Sequence, residues 1–507
     1  MTELLAPAAP ARPADDPFGR TAPKLGALLG VDADARVLLA GAARARRSDF
    51  EHHFAAVDVA PVPGARYGLA VWELADGDVA DVAAALLPTG SLFLVAANQL
   101  GLRAAARDPR RLTERGAASV WGWRNRLRRA GFSRLDEFVP LPEPRGAEEF
   151  VHARAGEISL PTHASRTERM LNGAGLLPLL SDGYACIASG PSGGTRALLA
   201  GLGERLGAPV QLERFDLRDR GALVLLVRAG AERFVCRVTV DDETDRVVSR
   251  NAEWTRRIRE NAALPAALRA LVPAPRGRWE AGDCTQYVEE RVAGVVAWKR
   301  AGIPQLREPL FAGVYGFVRD FGAATAERAR LDEHAVTSLL GDAPPAWVGR
   351  EVAEPMDVLR SLLRYRALGR ERTRVWAHGD FGFGNAMVDP RTGVLRGIID
   401  WDQARIDLAG VDLLNFLVQR EMGARACSFP AAFNEVAGRV ASSGFRAVHP
   451  SVDYEERLGI GTSERRDLVG WVALRMAERA IRYPRLFDRS RAGTGEVLRR
   501  ACEVVSA

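Results

Sequence analysis

The spacing of apolar positions changes character along the chain. Between residues 25 and 190, short apolar runs alternate with stretches of helical period. RVLLAGA (36–42), YGLAVWEL (67–74) and GSLFLVAAN (90–98) are almost continuously apolar, as strands buried on both faces are. DVADVAAALL (78–87) and VWGWRNRLRRAG (120–131) read as amphipathic helices, and GYACIASG (183–190) as a late strand. Alternating β and α segments predict an α/β domain built on a parallel, doubly wound sheet. The Ala- and Pro-rich residues 1–24 read as a disordered tail.

From about residue 195 the pattern is different. A helix, TRALLAGLGERLG, leads into LERFDLRDRGALVLLVRAGAERFVCRVTV. That run reads as antiparallel strands with turns at DRGA and AGAE. A charged helix (AEWTRRIREN), an apolar-proline stretch (LVPAP) and a strand-like QYVEERVAG follow, and after about residue 295 helical spacing dominates. The expectation is a two-lobed α+β unit, with a sheet-rich lobe over 195–294 and a helical lobe over 295–507. GPSGGT (190–195) stands where the pattern changes and reads as a linker. No Lys-Ser/Thr pair follows at the spacing a phosphate loop requires.

The length of 507 residues exceeds what one core supports, so two or more domains are expected. Hydrophobic residues make up 47% and charged residues 26%, an ordinary globular balance. A net charge of +6 is small for this length and gives no reason to invoke nucleic acid or a membrane surface. Lysine occurs only at Lys24 and Lys299, so arginine supplies nearly all the positive charge. The five cysteines are widely spaced, odd in number and without a C-x-x-C pair, which fits a reduced, cytoplasmic compartment. The N-terminus lacks the pattern of a signal peptide, and the apolar runs are too short to span a bilayer.

One segment carries chemistry: WAHGDFGFGNAMVDPRTGVLRGIIDWDQA, residues 376–404. DPRTG favours a tight reversal, so AMVD and VLRGII can pair as a hairpin. Residues flanking a hairpin lie at its open end, which brings Asn385 and Asp400 together. A carboxamide oxygen and a carboxylate form a hard oxygen site suited to Mg2+. Asp380 lies on the loop that enters the same end, close enough to act on a bound substrate.

The order H-G-D-F-G-F-G-N, then I-I-D-W-D, then D-L-L at 412–414, resembles the aminoglycoside phosphotransferase and choline kinase branch of the kinase-like fold. The resemblance covers roughly residues 195–507. It implies an ATP-dependent enzyme that phosphorylates a hydroxyl of a small molecule. It makes Asp380 the catalytic base, has Asn385 and Asp400 hold Mg2+, and has His378 brace the loop. Asp402 would shape the metal site or stand behind it. Asp412 would anchor the loop or serve as a helix N-terminal charge.

In the sheet-rich lobe, FVCRV puts Arg237 where the family usually has lysine, and arginine also grips phosphate. Glu253, on the next helix, is the candidate partner of Arg237 or else a solvated helix charge. Gly221 is the single glycine of the turn that would cover phosphates. Glu290 to Gly294 resembles the hinge whose backbone would meet adenine.

LLPTGSLFLVAANQLG followed by WRNRLRRAGF resembles the second half of a class I methyltransferase. That family binds S-adenosylmethionine at a glycine-rich turn after the first strand, where this chain has LLAGAARARRSDF, with Gly41 alone among bulky arginines. Asp58 would be the residue to meet a ribose. The domain over 25–190 is therefore expected to be a degenerate methyltransferase-like scaffold. Two alternatives stand beside the phosphotransferase. One is a non-catalytic nucleotide-binding scaffold; the other is a working methyltransferase with an accessory kinase-like domain.

Overall fold

A computed structural model describes residues 21–74, 78–98, 118–141, 147, 149–153, 172, 176–217, 222–482 and 484–507; the side chains of 482–489 are not described. The chain forms two compact units. The first consists of Pro17–Val248 and Arg276–Arg291, and the second includes Ser249–Pro275 and Val292–Ala507.

In the first unit, Arg36–Gly41, Ala56–Asp58, Tyr67–Glu73 and Leu86–Ala97 pair in parallel. Gly183–Ser189 then adds antiparallel to Leu86–Ala97, and Arg134–Leu141 pairs antiparallel with Gly183–Ser189. The alternation within each strand separates two apolar faces. Leu39, Val71, Phe93 and Ile187 pack on one side with the helix Ala22–Leu29. Leu38, Trp72, Leu94 and Cys186 pack on the other with Val79–Ala85 and Val120–Arg129. Helices thus cover both faces of this part of the sheet.

The sheet does not stop there. Arg134–Leu141 pairs with Glu149–His152, which pairs with Val210–Asp216. Leu223–Ala229, Glu232–Thr239, Cys284–Glu290 and Pro275–Ala281 complete one 12-stranded sheet. One apolar cluster runs from Ala22 through Phe150 and Phe215 to Val288. The boundary expected at 190–196 therefore falls inside a single unit. The physical reason is visible at GPSGGT. Gly193 and Gly194 are buried, Gly194 N–H donates to Ser91 Oγ at 3.0 Å, and a β-carbon on Gly193 would meet the Thr89 carbonyl oxygen at 2.7 Å. The segment is a packed turn leading into the helix Arg196–Leu206, and its glycines serve close approach.

The second unit is mostly helical, as the spacing after residue 295 predicts. Arg307–Thr325, Arg350–Ala367, Val411–Arg425, Phe429–Ser443, Thr462–Arg482 and Pro484–Ser506 supply its long helices. Two three-stranded sheets are embedded among them, one of Val295–Val296, Ala386–Val388 and Leu395–Ile398, the other of Glu327–Arg330, Glu371–Ala377 and Arg405–Leu408. Trp401, Trp471 and Phe416 are among the fully buried side chains of this core. The five cysteines are free. Among the described residues, no helix is long and apolar enough to cross a membrane.

Candidate active site

The strand Glu371–Ala377 delivers the loop that begins at His378. The loop turns back at once because Gly379 takes φ 83°. A β-carbon there would lie 2.3 Å from the Gln403 carbonyl oxygen, so glycine alone fits the bend. Asp412, near the start of the helix Val411–Arg425, holds the turn from the other side. Its Oδ2 accepts from His378 N–H at 2.6 Å and its Oδ1 from Gly379 N–H at 3.0 Å. Burial pushes the Asp412 carboxyl up to about 7, against the pull of those two amides.

His378 is buried and bonded at both ring nitrogens. Nδ1 accepts from Asp380 N–H at 3.3 Å, and Nε2 meets the Ile399 carbonyl at 2.9 Å. The pattern requires a neutral ring protonated on Nε2, and burial accordingly holds its pKa down at about 4. The ring ties the Asp380 backbone to the far strand of the hairpin.

The hairpin forms as the sequence predicts. Ala386–Val388 and Leu395–Ile398 pair antiparallel, with Ala386 opposite Ile398. The Asp389 carboxylate organises the turn by accepting from Arg391 and Thr392 N–H, both at 3.0 Å. Beyond the strands, Ile399 N–H donates to the Asn385 carbonyl at 2.9 Å. Asn385 is thereby bonded to the residue that precedes Asp400. Its Nδ2 donates to the Asp380 backbone carbonyl at 2.9 Å, which leaves Oδ1 as the acceptor at the open end.

Asp400 is exposed and sits in the left-handed region, φ 70° and ψ 60°. A non-glycine residue held there is strained by about 1–3 kcal/mol, a feature that clusters at functional sites. Two buried anchors impose that backbone. Trp401 N–H donates to Asn251 Oδ1 at 2.7 Å, and the Trp401 indole N–H to the Ile398 carbonyl at 2.9 Å. Asp402 accepts from Gln403 Nε2 at 2.7 Å.

Among the described residues, no cluster of three or more His, Cys, Asp or Glu is arranged to hold a metal. The donors at the hairpin end are one carboxylate and one carboxamide oxygen. That set fits Mg2+, which keeps waters and phosphate oxygens in its remaining positions and needs few protein ligands.

Asp380 is partly exposed, and its carboxylate is ion-paired with Arg479 of the helix Thr462–Arg482. Arg479 carries no site signal of its own in the sequence. The i, i+3, i+4 spacing of Arg475, Glu478 and Arg479 signals one charged helix face, but nothing in that spacing says what the face meets. Asn251 carries none either, since it lies 150 positions from the residue it holds.

In the first unit, Arg237 lies on Glu232–Thr239 and is ion-paired with Glu289 of Cys284–Glu290. Register explains the choice. Val235 lies opposite Glu289 and Arg237 opposite Tyr287, so Arg237 and Glu289 are diagonal neighbours on one face. The partner expected from sequence was Glu253, which is instead an exposed residue of the helix Asp242–Glu260. Glu290 pairs with Arg276 at 2.5 Å. Gly221 lies outside the described residues. Gly294, in the second unit, has φ 115°, and a β-carbon on it would meet the Val388 carbonyl oxygen at 2.4 Å. Its place is therefore reserved for glycine.

No curated protein matches the chain. Solved structures that align with it include the aminoglycoside phosphotransferase APH(4)-Ia, at 17% identity over 61% of this chain and 98% of that one, with a TM-score of 0.41. The aminoglycoside phosphotransferase APH(3'')-Id of Streptomyces rimosus aligns at 16% identity over 55% and 98%, TM-score 0.33. A microcompartment-associated aminopropanol kinase aligns at 16% over 59% and 90%, TM-score 0.33. Residues 217–450, which include the whole of the loop and hairpin, match the model of APH, the phosphotransferase enzyme family.

Proposed function

We propose that this chain is an ATP-dependent phosphotransferase that moves the γ-phosphate to a hydroxyl of a small molecule. The observation that carries the reading is the open end of the hairpin. Asp380, the Asn385 carboxamide oxygen and Asp400 are held there by backbone bonds, inside a segment that matches a phosphotransferase family model. Asp380 orients the acceptor hydroxyl and takes its proton. His378, held neutral by burial, fixes the Asp380 backbone while its Nε2 proton is committed to the Ile399 carbonyl. Asn385 and Asp400 would hold Mg2+, which when bound neutralises charge on the phosphates. Arg237 grips a phosphate of the nucleotide, and Glu289 fixes the direction of its guanidinium. In the same reading Gly221 belongs to the phosphate-covering turn and the backbone around Glu290 receives adenine.

Residues 25–190 are read as a methyltransferase-like scaffold without methyl-transfer chemistry. Support comes from the parallel strands with helices on both faces. Further support comes from the end of the first strand, where Arg46 is ion-paired with Glu73. Asp58, the candidate ribose ligand, is bonded to Arg36, which lowers its pKa.

The test uses the purified full chain, Mg-ATP and a panel of hydroxylated metabolites, with ADP release and phosphorylated product both measured. Transfer to at least one acceptor is expected, with loss of turnover in Asp380→Asn while ATP still binds. A folded Asp380→Asn protein that turns over at the wild-type rate would move the nucleotide-binding scaffold to first place.

A further inference from the structure

The helix Thr462–Arg482 presents Arg475, Glu478 and Arg479 on one face, and two of the three are consumed by the fold. Arg475 is buried, with Nε on Asp407 Oδ2 at 2.6 Å and Nη2 on the Leu339 carbonyl at 2.6 Å. Glu478 accepts from Arg475 at 3.0 Å and from Arg405 at 3.3 Å. Arg479 differs. Its side chain is 39% exposed, and among its partners is the carboxylate of Asp380. A guanidinium on that carboxylate works against a general base. It covers an oxygen that an acceptor hydroxyl would need.

We propose that Arg479 is the acceptor-binding residue of this enzyme, and that the acceptor is a hydroxylated small molecule bearing a carboxylate or phosphate group near the reacting hydroxyl. The proposal rests on the phosphotransferase reading above. The acceptor's anion takes the Arg479 guanidinium in a two-pronged, charge-assisted contact. Asp380 is released to accept a hydrogen bond from the acceptor hydroxyl. That oxygen then forms a bond to the γ-phosphorus while the bond from the γ-phosphorus to the β,γ-bridging oxygen breaks. ADP leaves with the bond pair, and the hydroxyl proton passes to Asp380. Before the acceptor arrives, the ion pair occupies the base and restrains transfer to water. A polyamine acceptor gains nothing comparable, since its ammonium groups would compete with Arg479 for the same carboxylate.

The experiment compares three acceptor classes with the full chain and Mg-ATP: neutral polyols and sugars, aminated sugars, and anionic ones. The anionic set is divided into sugar acids and sugar phosphates to separate the two sources of charge. Transfer is expected in one anionic subset. Arg479→Gln should raise KM for that acceptor by about 10–100-fold, the range of one charge-assisted contact, and should raise ATP hydrolysis in the absence of acceptor. Arg479→Lys keeps the charge and should recover part of the KM loss. Equal or better transfer to neutral or aminated acceptors, transfer to none of the classes, or an unchanged KM in Arg479→Gln would each overturn the assignment. Failure of the underlying reading looks different: Mg-ATP does not bind, or Asp380→Asn hydrolyses ATP at the wild-type rate.

Discussion

Two strand ends in this molecule carry the same kinds of side chain and reach opposite states. In the first unit, Arg36–Gly41 and Tyr67–Glu73 finish side by side, Gly41 opposite Glu73. There Arg46 closes on Glu73; elsewhere on the same sheet Arg36 pairs with Asp58 and Arg124 with Glu137. At the hairpin of the second unit, backbone amides and buried side chains hold the acids in place. Asp412 and His378 fix the Asp380 loop, Asn251 and Trp401 fix the turn at Asp400, and the Asp400 carboxylate stays exposed. An acid neutralised by a neighbouring arginine has spent its charge on the fold. An acid positioned through its backbone keeps that charge for a ligand. Asp380 stands between the two cases, its backbone fixed and its carboxylate covered by a partly exposed arginine.

That contrast can be broken most decisively at Asp380. Asp380→Asn should lower phosphotransfer by ~10²–10⁴-fold, the usual contribution of a positioned base. Glu73→Gln at the other strand end should leave the turnover of the folded protein unchanged, as parallel rate measurements would show. Asp400→Asn should lower turnover too, but with a second signature: nucleotide affinity becomes weaker and more dependent on Mg2+, read by titration at several Mg2+ concentrations.

Smaller effects concern the frame. Asp412→Ala leaves two buried amide donors without their acceptor, at about 1–3 kcal/mol each, and should lower the melting temperature more than Asp412→Asn, which keeps one acceptor. The two buried titrating groups have opposite pH signatures. His378 falls from an ordinary 6.5 to about 4 in the fold, so its contribution to stability is present above pH 6.5 and is lost as pH drops towards 4. Asp412 rises from 3.8 to about 7, so its contribution is present below pH 3.8 and is lost as pH climbs through 7. In denaturant titrations across pH, His378→Asn should flatten the acid limb, by up to about 1.4 kcal/mol per pH unit, while Asp412→Asn should flatten the limb approaching neutrality. The smallest expected signal is the absence of one. S-adenosylmethionine should give little or no binding heat, because the Arg46–Glu73 pair occupies the strand end; micromolar binding would restore the methyltransferase reading of residues 25–190.

Much of this organisation is legible in the sequence where the signal is local. The apolar runs at 36–42, 67–74 and 183–190 became strands, and DPRTG became the hairpin turn, because side-chain period and turn chemistry act over a few residues. Glu149–His152 escaped notice. Four residues with charged or polar ends carry little strand signal, yet this strand joins the two halves of the large sheet. Its partner Val210–Asp216 lies some sixty positions away, and a pairing at that distance leaves no periodicity to read. The expectation of a linker at GPSGGT failed for a related reason. Glycine marks a mobile linker and a tightly packed turn equally well, and only the neighbours at Ser91 and Thr89 distinguish them.

At the site, the sequence alone determined which residues stand at the open end of the hairpin. The order and spacing of His378, Asp380, Asn385 and Asp400 around a two-strand reversal leave little geometric freedom. The tertiary structure decided what each of them meets. Glu289 rather than Glu253 faces Arg237 because strand register makes them diagonal neighbours. Arg479 reaches Asp380 across 99 positions of chain. Such contacts depend on how helices and strands are brought together, and the free energy that selects them is summed over the whole core rather than written in any short stretch of residues.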